Sequence, residues 1–266
     1  MSAVVHRPTK IVLVDLDDTL VDRSDHNVTA LQKTFQAFFK QVPLDELTNC
    51  VNENLLLKKY RCDWKSFWTR FDDFDDRQKG IAAGIIKLYP DTYSFLDLVT
   101  NNHLTAIVTD TPPPKCLIEV KEFGLDRYLV TRGVVYYVLD HPQFKPKPDV
   151  SVALRALERC NYIPHSHRHH STPDEMDHIW VVGDSHKDIF LARQLKAYFC
   201  HNHIRATVHS IYIHRRGPEE PSADYITMGP YPLLAAGLII ASHIHRIKPP
   251  SKPQYICAPD MPPTSL

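Results

Sequence analysis

Short apolar runs that end in polar residues alternate along this chain with stretches whose apolar residues recur every three or four positions. "KIVLVDLD" (10–17), "LTAIVTD" (104–110), "IWVVGD" (179–184) and "VHSIYIH" (208–214) read as buried strands, β-branched and apolar throughout. "RYLVTRGVV" (127–135) is a further strand candidate. Between them, "PPKCLIEVKEFGL" (113–125), "DVSVALRALERC" (149–160) and "DIFLARQLKA" (188–197) carry helical periodicity. Such alternation predicts a doubly wound, parallel-sheet α/β core of Rossmann-like type, with helices on both faces. Sites in such sheets form at the carboxyl ends of the strands. Three of the runs finish in an aspartate, which puts Asp15, Asp110 and Asp184 near one rim.

Residues 22–89 have a different texture. They hold one proline, Pro43, and two glycines, Gly80 and Gly84, although the chain has 21 prolines. Val28, Leu31, Phe35, Phe38, Phe39 and Val42 recur at helical spacing, then Leu44, Leu47, Val51 and Leu55, then Trp64, Phe67, Trp68 and Phe71. Asp63 is placed to cap the third helix. "DDRQKGIAAGIIKLY" fits a fourth, ending near Leu88. The pattern predicts a helical insert at 22–89 between two parts of the core, 1–21 and 90–246. The run Asp72, Asp73, Asp75, Asp76 is expected to cap the next helix and face water. Two stretches read as structureless: the histidine-rich 165–178 and the proline-rich tail 247–266. The apolar segment 232–244 fits a terminal helix packed on the core or a dimer contact.

Composition narrows the function classes. The 266 residues are 43% hydrophobic and 23% charged, ordinary for a globular chain. Lys+Arg and Asp+Glu balance at 31 each, so no basic surplus points to a nucleic-acid polymer as partner. Cysteines at 50, 62, 116, 160, 200 and 257 show no zinc-knuckle or redox spacing, which suits a reducing compartment. The N-terminus lacks a signal-peptide apolar region, and the longest later apolar run is about half of a membrane span. A cytoplasmic protein without membrane attachment is expected, of unassigned oligomeric state.

The chemistry concentrates in "IVLVDLDDTLVD" (11–22), which crowds Asp15, Asp17 and Asp18 at a strand end. Carboxylates so placed repel one another unless a cation joins them. Mg²⁺ is a hard cation that takes oxygen ligands, and a held carboxylate can serve as a covalent nucleophile. At this point the residues carry a resemblance. "DLDDT" resembles the DxDxT motif of the haloacid dehalogenase superfamily. "AIVTD" is similar to its second motif, "KPKPD" (145–149) to its lysine motif, and "VVGDSHKD" (181–188) to its acidic fourth motif. All four stand in the family's order, over roughly residues 10–230, with helical material between the first two.

The resemblance implies roles. Asp15 is the nucleophile that forms an aspartyl-phosphate. Asp17 is the general acid and then the base for water, and its carbonyl joins Asp15 and Asp184 around Mg²⁺. Thr109 binds a phosphoryl oxygen, Lys145 neutralises phosphate and nucleophile, and Asp188 supports the metal's outer shell or holds the lysine. An Asp two residues after the nucleophile marks phosphatases of the family rather than dehalogenases. Lys147 competes with Lys145, and the spacing K-P-x-P-D favours Lys145. The implied function is Mg²⁺-dependent hydrolysis of a small phosphorylated metabolite, a nucleotide or sugar phosphate, beneath a helical cap. Two alternatives stand beside it: a protein phosphatase of the DxDxT type, and a binding or regulatory protein that keeps the fold without turnover. Asp110 stands where close relatives carry Asn, an extra carboxylate that must point away or be paired. Asp18 and Asp22 are read as loop or capping residues. His165, His167, His169, His170 and His178 are read as a surface insertion.

Overall fold

A computed structural model describes residues 10–48, 53–101, 103–131, 135–137, 146–160, 162, 177–215, 222–242 and 254–257. The described residues fall into two compact units. One comprises the chain up to Leu20 and from Tyr89 onward, the other Val21–Leu88.

The larger unit is built on a seven-stranded sheet. In chain order its strands are β1 (Lys10–Val14), β4 (Leu104–Val108), β5 (Val135–Tyr137), β6 (Asp177–Gly183), β7 (Ala206–Ile213), β8 (Tyr225–Met228) and β9 (Gln254–Cys257). Their spatial order is β5-β4-β1-β6-β7-β8-β9, and every pairing is parallel. The strand order reverses beside β1, where the ligand crevice of an open parallel sheet forms.

Helices cover both faces, as the near-continuous apolar strands require. On one face, α9 (Val150–Arg159) and α10 (His186–His201) bury Val152, Ala156, Leu191 and Leu195 against Ile11, Leu13, Ile179 and Val181. On the other, α6 (Thr92–Thr100) lies against α11 (Pro232–Ser242). The α11 helix is apolar almost all round and buries seven residues, as such a sequence must in water. Gly237 lets the two helices approach, because a Cβ there would meet Leu98 at 3.1 Å and Phe95 at 3.2 Å. The apolar segment 232–244 is thus a helix packed on the core, described as far as Ser242.

Three expectations for this unit change. "RYLVTRGVV" is not one strand: Asp126–Thr131 is a helix, α8, and only Val135 onward joins the sheet. The tail is not structureless throughout, since Gln254–Cys257 pairs in parallel with Tyr225–Met228. The local signal of this β9 is only four residues long, and it gains its hydrogen bonds from a partner distant in sequence. Asp177 and His178 open β6 rather than ending a loop. The remainder of the histidine-rich stretch, including His165, His167, His169 and His170, lies outside the described residues.

The smaller unit is helical: α1 (Ser24–Ala37), α2 (Leu44–Thr48), α3 (Glu53–Lys59), α4 (Trp64–Phe74) and α5 (Arg77–Ala82). Its core joins Leu31, Phe35, Leu47, Leu57, Phe67 and Phe71. Asp63 caps α4 by accepting the Ser66 N–H at 2.9 Å. Its two ends pair as a short antiparallel ribbon, β2 (Val21–Asp22) with β3 (Lys87–Leu88). The fourth predicted helix is shorter than expected: α5 stops at Ala82, and Gly84 turns with φ 67°. In the aspartate run, Asp76 caps α5 through Lys79 N, but Asp75 does not face water. Asp75 is buried against Arg77 Nε at 2.8 Å, His26 Nε2 at 2.9 Å and Arg23 at 3.6 Å.

Candidate active site

The site is assembled at the carboxyl ends of β1, β4 and β6. Asp15 follows β1 directly, and its N–H still donates to Val182 O at 2.9 Å. Asp184 follows Gly183 at the end of β6. Two neighbouring parallel strands therefore deliver both carboxylates to one rim. Beyond Asp15 the chain turns sharply, and Asp18 takes a left-handed φ of 57°. Asp tolerates this better than a branched residue would. The turn brings the buried Thr19 hydroxyl to donate to Asp184 Oδ1 at 3.0 Å.

Asp188 enters from the first turn of α10. Its Oδ2 accepts both the Ser185 hydroxyl at 2.6 Å and the Ser185 N–H at 3.2 Å. Its Oδ1 accepts from the Lys147 ammonium at 2.7 Å, and the same ammonium donates to Asp15 Oδ1 at 2.6 Å. The lysine in this position is Lys147, not Lys145, which lies outside the described residues. The reason is the start of α9. Asp149 caps that helix by accepting Ser151 N at 2.9 Å, which fixes Lys147 two residues upstream. Asp110 then anchors the Lys147 backbone, accepting its N–H at 2.9 Å. The spacing K-P-x-P-D pointed to Lys145, but in "KPKPD" both lysines precede a proline, and that likeness does not fix which one the fold brings to Asp15. Counting back from the helix cap does.

Burial is the largest influence on both strand-end carboxyls. It pushes Asp15 well above the ordinary carboxylate range; Lys147 opposes the rise, while Asp188, Asp184 and Asp17 add to it. Asp184 is raised in the same way, first by burial and then by Asp18 and Asp188. Burial alone would depress the Lys147 ammonium, but Asp15, Asp188 and Asp110 together hold it above an ordinary lysine. One cation thus faces more carboxylate than it can neutralise. Asp15, Asp184 and Asp188 offer oxygens within 4.8 Å of one another, a set that could hold a metal ion. An all-oxygen set of this kind suits a hard divalent cation. Asp188 already engages both its oxygens with Lys147 and Ser185, which leaves Asp15 and Asp184 as the principal charges facing such an ion.

The remaining expected residues sit close by. Thr109 is buried after β4, and its hydroxyl accepts the Thr111 N–H at 3.1 Å. Thr111 in turn donates its hydroxyl to Asp17 Oδ2. Asp110, besides its bond to Lys147, lies 3.7 Å from the Lys187 ammonium, so the extra carboxylate is paired. Sequence reasoning passed over Thr111 and Thr19. The repeated hydroxyl in "TDT" and the threonine that closes "DLDDT" were the only signals, and neither says which carboxylate a hydroxyl will meet. The three prolines at 112–114 start helix α7 (Pro113–Glu122), whose first turn has no use for their missing N–H groups.

The sequence profile of the haloacid dehalogenase-like hydrolases matches residues 12–201. The chain belongs to this family. The same architecture recurs in solved structures. A hydrolase from Pseudomonas syringae is 19% identical with a TM-score of 0.59, the match covering 86% of this chain and 96% of that one. A haloacid dehalogenase-like family protein from Streptococcus pneumoniae is 18% identical with a TM-score of 0.59, covering 86% and 98%. A predicted phosphoglycolate phosphatase from Haemophilus somnus is 16% identical with a TM-score of 0.57, covering 87% and 98%. No curated protein matches the chain. At these identities the likeness concerns the fold.

Proposed function

We propose that this hydrolase cleaves phosphomonoesters of small metabolites, of the nucleotide or sugar phosphate class, through an aspartyl-phosphate on Asp15 and with Mg²⁺. The observation that carries the reading is the Lys147 ammonium held jointly by Asp15 and Asp188 beside Asp184. A carboxylate oriented by a fixed cation is a nucleophile whose line of attack is set before substrate arrives. Phosphoryl transfer demands in-line placement and neutralised equatorial oxygens above all else.

In this reading Asp15 attacks phosphorus and Lys147 balances the charge gathering on the phosphoryl oxygens. Thr109 offers its hydroxyl to one of them. Asp17, carried on the same loop and oriented by Thr111, gives a proton to the leaving oxygen. It then takes one from the water that hydrolyses the acyl phosphate. Such acid–base help is worth about 10²–10⁴-fold. Mg²⁺ held by Asp15, Asp184 and the Asp17 carbonyl would supply further positive charge to the phosphoryl group. The insert Val21–Leu88 is read as a cap, the basis for expecting small substrates. Supporting this, the insert begins at Val21, shortly after Asp15 and Asp17 in the chain.

The test is a panel of phosphorylated metabolites, with phosphopeptides alongside, assayed with Mg²⁺ and again with EDTA. Wild type turns over one or more small phosphates, loses that activity in EDTA, and loses it in Asp15→Asn while the circular dichroism spectrum persists. Equal turnover by Asp15→Asn would refute the nucleophile. Turnover of phosphopeptides alone would favour the protein-phosphatase alternative.

A further inference from the structure

A buried ion pair, Arg215 with Asp91, lies apart from the residues given a chemical role above. Arg215, two residues past β7 on the same rim of the sheet, donates to Asp91 Oδ1 at 3.0 Å. Its side chain is 9% exposed and that of Asp91 is fully buried. The guanidinium carbon also lies 3.5 Å from the centre of the Tyr89 ring. The same Nη2 that binds Asp91 donates to the Thr19 carbonyl at 3.2 Å.

Asp91 is engaged on its other side too. Its Oδ2 accepts Leu233 N at 2.7 Å and Leu234 N at 3.2 Å, the opening amides of α11. Next to Thr19, the Leu20 carbonyl accepts Tyr89 N at 3.1 Å and the Thr92 hydroxyl at 2.7 Å. The far end of the loop that begins at Asp15 is therefore fastened by Arg215 and by the 89–92 segment. Thr19 passes this on, since its backbone is held by Arg215 while its hydroxyl holds Asp184 Oδ1 at 3.0 Å.

A buried ion pair is no more stabilising, as a rule, than well-packed apolar side chains of the same size. Stability alone is thus a poor reason for Arg215 and Asp91. We propose that Arg215, braced by Asp91, is a positioning residue for the cation site: it fixes the Thr19 backbone so that the Thr19 hydroxyl orients the Asp184 carboxylate. This rests on the reading of Asp15 and Asp184 as metal ligands. Groups that orient a ligand from behind typically change metal affinity by about 10–100-fold when removed.

The experiment measures Mn²⁺ binding by electron paramagnetic resonance, with thermal unfolding recorded on the same samples. Arg215→Met keeps the apolar stem and removes the guanidinium. It is expected to bind Mn²⁺ about tenfold more weakly than wild type, with Arg215→Lys recovering part of the loss. Thr19→Val, which removes only the last link, is expected to weaken binding similarly, and it decides the matter if Arg215→Met does not fold. Lowered thermal stability with unchanged Mn²⁺ affinity in these variants would overturn the proposal and leave the cation site standing. Undiminished Mn²⁺ binding by Asp184→Asn, or none by wild type, would overturn the cation site itself.

Discussion

One ammonium bonded to two buried carboxylates leaves little freedom to any of the three groups. Lys147, Asp15 and Asp188 are each less than a tenth exposed, so their charges are balanced mainly by one another. Removing one partner of such a set leaves an uncompensated buried charge, which costs about 3 kcal/mol or more. Lys147→Ala should therefore lower stability by roughly that amount in urea titration. Its turnover should fall about 10²–10³-fold, as when one preorganised positive donor is lost. Lys145→Ala should stay within a few-fold of wild type in both. The reverse ranking in kcat/KM would return the catalytic lysine to position 145. The lesson at this scale concerns register. Residue types and their order were readable in "KPKPD", but which ammonium reaches Asp15 depends on where α9 begins.

Elements make the site by ending where they do. β1 and β6 stop side by side, so Asp15 and Asp184 share a rim without any local sequence relation. At the end of β6 backbone and acid also come close. A Cβ at Gly183 would lie 2.3 Å from Asp188 Cγ and Oδ2. Gly183→Ala must then push Asp188 off Lys147 and Ser185, or shift the start of α10. Overpacking of this kind costs about 1–3 kcal/mol, and a displacement near 1 Å can cost about 10²-fold in rate. The expected result is a folded protein with a modest drop in melting temperature and a disproportionate loss of kcat. A variant equally active as wild type would show that Asp188 is not held in register by Gly183. At the same scale, β9 was missed because a four-residue strand carries no period of its own and exists through pairing with β8. Asp75 was misjudged because three of its neighbours in the aspartate run do face outward or cap, and nothing in the sequence shows that Arg23, His26 and Arg77 meet it.

Across the whole molecule, the acid cluster couples folding to pH and to cations. Asp15 and Asp184 have folded-state pKa values above the ordinary carboxylate value of 3.8. Without a cation, the folded state binds protons more tightly than the unfolded state. The stability these two groups contribute is then fully present below that ordinary value and is lost as pH rises through the raised ones. Lys147 works the other way round in position: its contribution is complete below the ordinary lysine range and is lost only at higher pH. It therefore does not change the trend near neutrality. A divalent cation takes the place of the protons. The melting temperature in EDTA should fall as pH rises above the ordinary carboxylate value of 3.8, and the gap opened by added Mg²⁺ should widen over the same rise. A gap that is constant with pH would mean that the carboxylates are not where the cation binds.

The sequence alone determined the sheet class, the position of the helical insert and the acids that gather at the strand ends. These follow from short-range periodicity and from the rule that parallel strands present their carboxyl ends together. The tertiary structure decided which lysine meets Asp15, which hydroxyls bond to Asp17 and Asp184, and that Arg215, paired with Asp91, holds the far end of the loop that begins at Asp15. Each of those is a contact between residues far apart in the chain. Its geometry depends on where helices start and strands stop, to within a residue, and hydrophobic pattern does not fix ends that finely.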